Sequence, residues 1–210
     1  MEVVIANKLT KKFNKNGIVG VYGDLINLIN DGCDVDGIYY EDEYTVKRFL
    51  NGFKLNTKRM YSILNYLNIS TSILNIKLKN LSKLDLKYVL LAYALINKYN
   101  TLIFDYFDVN LTAKEQKELL KIIKKLSEND VKVIIVTNNL VFLSKIVDYI
   151  FVYKEDEYYE GKLKDLFKCG IDLDEVSIVR FVTQANKKGA KLEYTLDSKE
   201  LLKDIYRSVV

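Results

Sequence analysis

Residues 101–137 read TLIFDYFDVNLTAKEQKELLKIIKKLSENDVKVIIVT, and their pattern defines the class of fold. The stretch begins with an apolar, β-branched segment at residues 101–104 and ends with a second one at residues 131–137. Between them, Thr112 and Glu115 form a capping-box signature for the start of a helix. That helix has one apolar face, made of Leu119, Ile122, Ile123 and Leu126. Two apolar strands joined by an amphipathic helix form a βαβ unit, so we predict an α/β fold with a parallel sheet covered on both faces.

Outward from this unit, other segments alternate between strand and helix patterns. Before it, we predict strands at residues 3–5, 17–22 and 36–40 and helices at residues 24–30, 44–51, 57–68 and 84–98. After it, Asn139 is a candidate N-cap of another helix, and a strand pair is predicted at residues 149–153 and 158–159. Beyond Gly170 the composition changes, and we predict a helix, an extended segment and a second helix at residues 174–188, 190–195 and 197–208.

Composition narrows the class of protein. The chain has 210 residues, of which 49% are hydrophobic, and this suffices for one substantial core or for one core and a small appendage. The net charge is only +4, so we expect no nucleic-acid partner. Histidine is absent, which excludes a histidine-based triad or metal site. Two isolated cysteines, no signal peptide and no run of about 20 apolar residues predict a soluble, cytoplasmic protein.

Several short motifs follow one another along the chain. Gly17-Ile-Val-Gly-Val-Tyr-Gly23 has the pattern of a strand before a phosphate-binding loop, and Asn80-Leu-Ser-Lys83 has that of a signature motif before a helix. Thr101-Leu-Ile-Phe-Asp105 resembles a Walker B strand, and Val133-Ile-Ile-Val-Thr137 resembles the strand before a switch loop. In this order and spacing, over roughly residues 2–168, the motifs resemble the ABC transporter ATP-binding (ATPase) family.

The resemblance implies a P-loop-NTPase-like ABC ATPase core at residues 1–168, which includes a helical subdomain at about residues 44–98. Residues 169–210 are then expected to form a small C-terminal α/β appendage. In this family, backbone N–H groups and a Lys of the P-loop hold phosphate, the Walker B Asp supports Mg²⁺, and the Glu that follows it polarises the attacking water. Two such domains pair head to tail, and each offers its signature motif to the nucleotide of the other.

The chain departs from this pattern at several positions that carry the chemistry. Asp24 follows Gly23 directly, where the family continues with the rest of GxxxxGK[ST], so about seven residues of the loop are missing. Tyr106 occupies the position of the catalytic Glu, and a phenol with an ordinary pKa of about 10 is a poor general base. Asn138 replaces the switch His, and Lys83-Leu84 replaces the signature glycines. We therefore predict no catalytic residue, no metal and no cofactor, with neither ATP nor Mg²⁺ expected to bind.

Three residues at remnant cofactor-binding positions are the candidates for a site. Asp105 stands at the position of the metal-supporting carboxylate, although an Asp that ends a buried strand more often hydrogen-bonds a neighbouring loop. Ser82 is the signature serine by position, and it also fits a helix N-cap. Phe13 is at the adenine-stacking position, and a core or surface aromatic is the alternative.

Three functions are compatible with these residues. The preferred hypothesis is a non-catalytic ABC-ATPase-like subunit at the inner face of the cell membrane. It pairs with a competent ATPase partner subunit or docks on a membrane permease. Both a homodimer and a heterodimer are compatible with this hypothesis. The second hypothesis is a scaffolding or immunity module that is no longer tied to transport. The third is an ABC transporter ATPase with residual ATP binding.

Overall fold

A computed structural model describes residues 3–51, 57–154, 157–167, 169 and 177–209. In this part of the chain, the strands form one mixed, seven-stranded sheet in the order β3-β1-β4-β5-β2-β6-β7. The strands are β1 (Val3–Lys8), β2 (Ile18–Tyr22), β3 (Asp34–Gly37), β4 (Thr101–Asp105), β5 (Lys132–Val136), β6 (Tyr149–Lys154) and β7 (Glu157–Lys162). The α/β fold class predicted from the sequence is confirmed.

The centre of the sheet is parallel, and its margins are antiparallel. β4 pairs with β5, β5 with β2 and β2 with β6, all in parallel register. β1 runs antiparallel to β4 and β3, and β7 runs antiparallel to β6. The parallel neighbours β4 and β5 are joined by helix α5 (Ala113–Ser127), so the predicted βαβ unit is confirmed. Because the central strands are parallel, their carboxyl ends lie at one edge of the sheet.

The helices connect the strands and cover the sheet. Their bounds are α1 (Leu25–Asn30), α2 (Val46–Asn51), α3 (Thr57–Tyr66), α4 (Lys83–Ile96), α5, α6 (Leu140–Leu143), α7 (Leu163–Leu166), α8 (Ser177–Lys187) and α9 (Ser198–Val209). Two short 3-10 turns, Thr71–Asn75 and Leu78–Asn80, lie between α3 and α4. The described elements between residues 44 and 98 are therefore helical, apart from an isolated β-bridge between Thr45 and Lys77. Over the residues that the structure covers, no helix has the length and apolar character needed to span a bilayer.

Several elements end at other residues than predicted, and the structure gives a cause for two helices and one strand. The periodicity predicts helices that reach residues 68 and 98, whereas α3 ends at Tyr66 and α4 ends at Ile96. Asn68 and Lys98 have φ angles of 56° and 63°, which is left-handed backbone that cannot continue a right-handed helix. The strand predicted at residues 36–40 is β3, which is displaced toward the N-terminus because its pairing with β1 ends at Gly37.

Alternate side chains of the central strands enter two apolar layers, one on each face of the sheet. In β5, Val133 and Ile135 belong to the layer that contains Leu119 of α5. Ile134 and Val136 belong to the other layer. A strand buried on both faces shows no polar alternation in its sequence, which is why residues 133–136 form a continuous apolar run.

The C-terminal segment differs from the prediction in one respect. Helices α8 and α9 pack around a small apolar cluster of Val182, Leu192 and Leu201. Residues 190–195, predicted to be extended, belong to no strand, so the β part of the predicted α/β appendage is wrong for the described residues. The reason is local: the Asn186 side chain accepts from the Leu192 N–H at 2.9 Å and donates to its carbonyl at 3.0 Å, in place of a sheet ladder. Residues 174–176 of the predicted helix lie outside the described residues.

Candidate functional site

Three of the positions at which the sequence departs from the ABC ATPase pattern lie at the carboxyl ends of β2, β4 and β5. β5 lies between β4 and β2 in the sheet, so the ends of the three strands are adjacent. Gly23 and Asp24 follow β2, Tyr106 follows β4, and Asn138 follows β5 after one intervening residue. Ligands of open α/β sheets bind at this edge, which makes it the candidate functional site.

The junction between β2 and α1 is a tight turn. Gly23 has a φ of 147°, and the Asp24 N–H donates to Asn27 Oδ1 at 2.8 Å. The Asn27 N–H donates to the carbonyl of Asp24 at 3.0 Å, and helix α1 begins at Leu25. The strand therefore runs into the helix as predicted, with only Gly23 and Asp24 between them.

A chain of hydrogen bonds links the three strand ends. Asn138 Nδ2 donates to Tyr106 Oη at 2.5 Å, and Tyr106 Oη donates to Asp24 Oδ1 at 2.6 Å. The backbone holds the phenol in place, because the Tyr106 N–H donates to the carbonyl of Val136 at 2.8 Å and the residue adopts a φ of 48°. Asp24 and Asn138 are exposed, whereas Tyr106 is partly buried.

The phenol of Tyr106 is a donor at neutral pH. Burial raises the pKa of Tyr106 to about 12, and the hydrogen bond to Asp24 and the negative charges of Asp24 and Asp105 act in the same direction. The hydrogen bond from Asn138 opposes them but is outweighed. The hydroxyl consequently stays protonated and donates a hydrogen bond to the Asp24 carboxylate, which leaves no base at the position that follows Asp105.

Asp105, one of the predicted site residues, lies at this edge. Its side chain is half-buried, and burial raises the pKa of Asp105 above its ordinary value. The charge of Asp24 raises the pKa of Asp105 further, so the two carboxylates repel each other. Within the described part of the chain, no three acidic or cysteine side chains come together as potential metal ligands.

A second polar link joins the same loops and was missed at the sequence level. Asn139 Nδ2 donates to Asp108 Oδ2 at 2.9 Å, and Gln116 Nε2 donates to the Asp108 carbonyl at 3.1 Å. Asp108 is buried, with 4% of its surface exposed. Asn139 Oδ1 meanwhile accepts from the Phe142 N–H at 3.0 Å, which confirms the predicted N-cap of α6. Only the cap had a signal in the sequence, since it depends on residues three positions apart.

Phe13 lies inside the core. Its side chain is fully buried, and its ring centroid is 4.6 Å from that of Phe151. The ammonium of Lys12 lies over the same two rings at 5.5 and 5.6 Å and over Tyr158 at 4.4 Å. Lys12 also forms a salt bridge of 2.7 Å with Asp31. As placed, the Phe13 ring offers no free face to a stacked base.

Ser82 is the N-cap of α4. Its hydroxyl oxygen accepts from the Asp85 N–H at 3.0 Å and donates to the Asp85 carboxylate at 2.6 Å. The hydroxyl is thereby engaged within its own helix. Asp105, Ser82 and Phe13 thus occupy three different environments, and only Asp105 shares one with Asp24 and Tyr106.

The two largest cavities found among the described residues do not lie at the carboxyl edge of the sheet. One of about 680 Å³ is lined by Asn16, Val147 and Tyr149, at the amino-terminal edge of β2 and β6. The other, of about 650 Å³, lies between α6 and the C-terminal segment, beside Phe167 and Tyr194. Since the strands are parallel, the first cavity is at the edge of the sheet opposite the hydrogen-bonded chain.

Comparison with known proteins identifies a relative by sequence. No family model matches the chain. The chain is similar to the xylose/arabinose import ATP-binding protein XylG of Sulfolobus acidocaldarius, with 28% identity over 149 residues, or 71% of this chain. The match spans 59% of the length of that relative.

Solved structures share the fold. A nucleotide-free ATP-binding cassette of an ABC transporter superposes with a TM-score of 0.60 at 14% identity, over 86% of this chain and 99% of that one. The cbiO1 protein of Clostridium perfringens, part of the ABC transporter complex cbiONQ, gives 0.58 at 14% identity, over 89% and 99%. An inward-facing putative metal-chelate type ABC transporter gives 0.59 at 15% identity, over 77% and 84%. At these identities the likeness shows the fold, and it confirms the predicted P-loop-NTPase-like core.

Proposed function

We propose that this chain, which resembles the ABC transporter ATP-binding family in sequence and has the fold of its ATPase domains, is a non-catalytic subunit of a transporter complex. It pairs with a competent ATPase or docks on a membrane permease. The observation that carries the proposal is the hydrogen-bonded chain of Asn138, Tyr106 and Asp24, which fills the edge of the sheet where the family binds nucleotide phosphate.

The charge at this edge disfavours a phosphate. Asp24 presents a carboxylate at the start of α1, where the family has a Lys and a nest of N–H groups. Two negative charges about 4 Å apart repel by about 4 kcal/mol at an effective dielectric constant near 20. Each charge-assisted hydrogen bond that is lost costs about 1.5–3 kcal/mol more. A nucleotide phosphate at this edge would therefore lack the Lys and N–H groups that attract it and would be repelled by the Asp24 carboxylate.

Tyr106, at the position of the catalytic Glu, cannot activate water. With its pKa raised to about 12, Tyr106 is protonated at pH 7 and its proton is directed at Asp24. A general base must have a pKa near the working pH and a free lone pair toward the water, and Tyr106 has neither. On the base-binding side, the burial of Phe13 removes the stacking surface that the resemblance implies.

Exposed aromatic side chains support a partner. Tyr39 is 79% exposed and stands beside Tyr40 and the acidic residues at positions 41–43. Tyrosine is enriched at the centre of protein interfaces, where its ring adds contact area and its hydroxyl keeps a hydrogen bond. A subunit of this kind works where its complex lies, at the inner face of the cell membrane.

Calorimetry with Mg-ATP and co-purification test the proposal together. We expect no heat of binding at millimolar nucleotide, no phosphate release, and recovery of the chain with an ABC ATPase or permease encoded beside it. The partner ATPase, titrated under the same conditions, is the positive control. Saturable binding of Mg-ATP by this chain alone, or a strictly monomeric protein without such a partner, contradicts the proposal.

A nucleotide-binding ATPase is the second candidate. Asp105 keeps the carboxylate at the Walker B position, and the sequence relative is named as an ATP-binding protein for xylose/arabinose import. Under this alternative, the Tyr106–Asp24 hydrogen bond opens when Mg-ATP arrives, and Asp105 supports the metal. The same calorimetry separates the two candidates, because only this one gives a binding isotherm that is lost in Asp105→Asn.

A further inference from the structure

A reciprocal pair of hydrogen bonds connects α3 to the end of α5. Tyr66, the last residue of α3, donates from its hydroxyl to the carbonyl of Lys125 at 3.3 Å. The Lys125 ammonium donates back to the carbonyl of Tyr66 at 3.1 Å. Each residue therefore uses its side chain to satisfy the backbone of the other, across 59 positions of sequence.

Two further contacts close this arrangement. The Lys125 ammonium lies 3.9 Å from the centroid of the Tyr66 ring, within cation–π range. Asn129 Nδ2 donates to the Tyr66 hydroxyl at 3.2 Å and to the Lys125 carbonyl at 2.7 Å. All three side chains share partners, so the loss of one weakens the contacts of the other two.

Apolar packing underlies the polar contacts. Leu64 and Leu67, on either side of Tyr66, are buried in the same cluster as Ile123 and Leu126 of α5. The carbonyls that Tyr66 and Lys125 satisfy lie at the C-terminal ends of their helices, where the last carbonyls have no partner within the helix. The contacts thus fix both helix ends against each other.

We propose that Tyr66, Lys125 and Asn129 form an α3–α5 clamp that locks the described helices between residues 44 and 98 to the βαβ unit. The chain then keeps one arrangement of these parts whether or not a ligand or a partner is bound. The clamp goes beyond the proposed function and does not depend on it, since it rests on contacts remote from the Tyr106–Asp24 hydrogen bond.

Distance measurements between spin labels test the clamp. The labels are placed on Lys47→Cys in α2 and Lys117→Cys in α5, both exposed positions, with Cys169→Ser to remove the exposed native thiol. We expect one narrow distance distribution in this protein, unchanged by Mg-ATP. Adding Tyr66→Phe and Asn129→Ala together is expected to broaden the distribution. A broad distribution before these changes, or an equally narrow one after them, overturns the proposal.

Hydrogen exchange gives a second readout that needs no label. Removal of the Tyr66 hydroxyl and the Asn129 amide is expected to speed exchange in α3 roughly fivefold to tenfold, because local opening no longer breaks these bonds. Tyr61→Phe is the matched control, since Tyr61 is in the same helix and 44% exposed. Equal acceleration in the control, or none in the double variant, also overturns the clamp. Both measurements report on the free chain, so their failure is distinct from a failure of the proposed function.

Discussion

The Tyr106 hydroxyl donates a hydrogen bond of 2.6 Å to the carboxylate of Asp24, which lies 82 positions earlier in the chain. Asn138 donates to the same hydroxyl at 2.5 Å, so side chains that follow three adjacent strands are joined through one phenol. The carboxyl edge of the sheet is thereby held by the chain itself, at the place where related folds use a ligand.

Tyr106→Phe should destabilise the protein by about 1 kcal/mol, because it removes the hydroxyl that both neighbours use. The loss stays moderate since Asp24 and Asn138 are exposed and water can replace the phenol. Urea unfolding measures the change in the free energy of unfolding. Tyr61→Phe is the control and should change it by no more than about 0.5 kcal/mol. Similar values for the two variants would contradict the importance of the bond.

Gly23→Ala should be far more costly than Gly189→Ala. Both glycines have positive φ angles, 147° and 96°. An added Cβ at Gly23 would lie 2.8 Å from Asn27 Oδ1, whereas one at Gly189 meets nothing within 4 Å. We expect a loss of about 1 kcal/mol at Gly189 from backbone strain and about 2–4 kcal/mol at Gly23, where a clash adds to the strain. Thermal unfolding of both variants checks the order, and a reversed order would refute the tight turn.

Ser82→Ala should cost about 1 kcal/mol, since it removes the side-chain acceptor for the Asp85 N–H at the start of α4. Ser82→Thr keeps a hydroxyl oxygen at this position and should change the free energy of unfolding by only about 0.3 kcal/mol. Guanidinium unfolding of the two variants measures the difference. An unchanged stability in Ser82→Ala would show that the cap contributes nothing.

The carboxyl of Glu43 should titrate far below its usual range. Hydrogen bonds from Lys77 and Lys79 lower the pKa of Glu43 from 4.5 to about 2. A pKa that is lower in the folded state adds stability above the unfolded value, so this contribution is present above pH 4.5 and is lost as the pH falls toward 2. The effect on stability is small because the group is exposed. NMR titration of the Glu43 carboxyl carbon gives the pKa directly.

Replacing both lysines provides the control for this titration. Lys77→Met with Lys79→Met should return the pKa of Glu43 toward 4.5, because both favourable charges are gone. A midpoint near 4.5 in the unmodified protein would show that the two salt bridges do not form in solution.

The features predicted best were those that depend on residues close together in the sequence. The βαβ unit followed from apolar periodicity and from the Thr112 and Glu115 capping box, which the structure contains in full. Asn139 as an N-cap and the strand pair β6 and β7 had equally short-range signals. The direct junction at Gly23 was visible as a missing loop between a strand pattern and a helix pattern.

The candidate site was predicted only in part. Asp105 was predicted to end a buried strand and is the last residue of β4, whereas Tyr106 was interpreted only as the loss of a base. Its role as a donor to Asp24 had no signal in the sequence, because no spacing rule relates residues 82 positions apart. Phe13 shows the same limit, since a lone aromatic in a turn gives no indication of which layer it enters.

The sequence by itself determined most of the strands and helices, where several of them are capped, and that β2 enters α1 without a loop. These features depend on neighbours within a few residues, and the chemistry of those neighbours is fully specified by their order. Only the tertiary structure decided that Asn138, Tyr106 and Asp24 meet and that Tyr66 and Lys125 exchange hydrogen bonds. It also decided that Leu192 bonds to the Asn186 side chain and that residues 190–195 join no sheet. These contacts depend on the order of strands and the packing of helices, which arise from the summed burial of the whole chain.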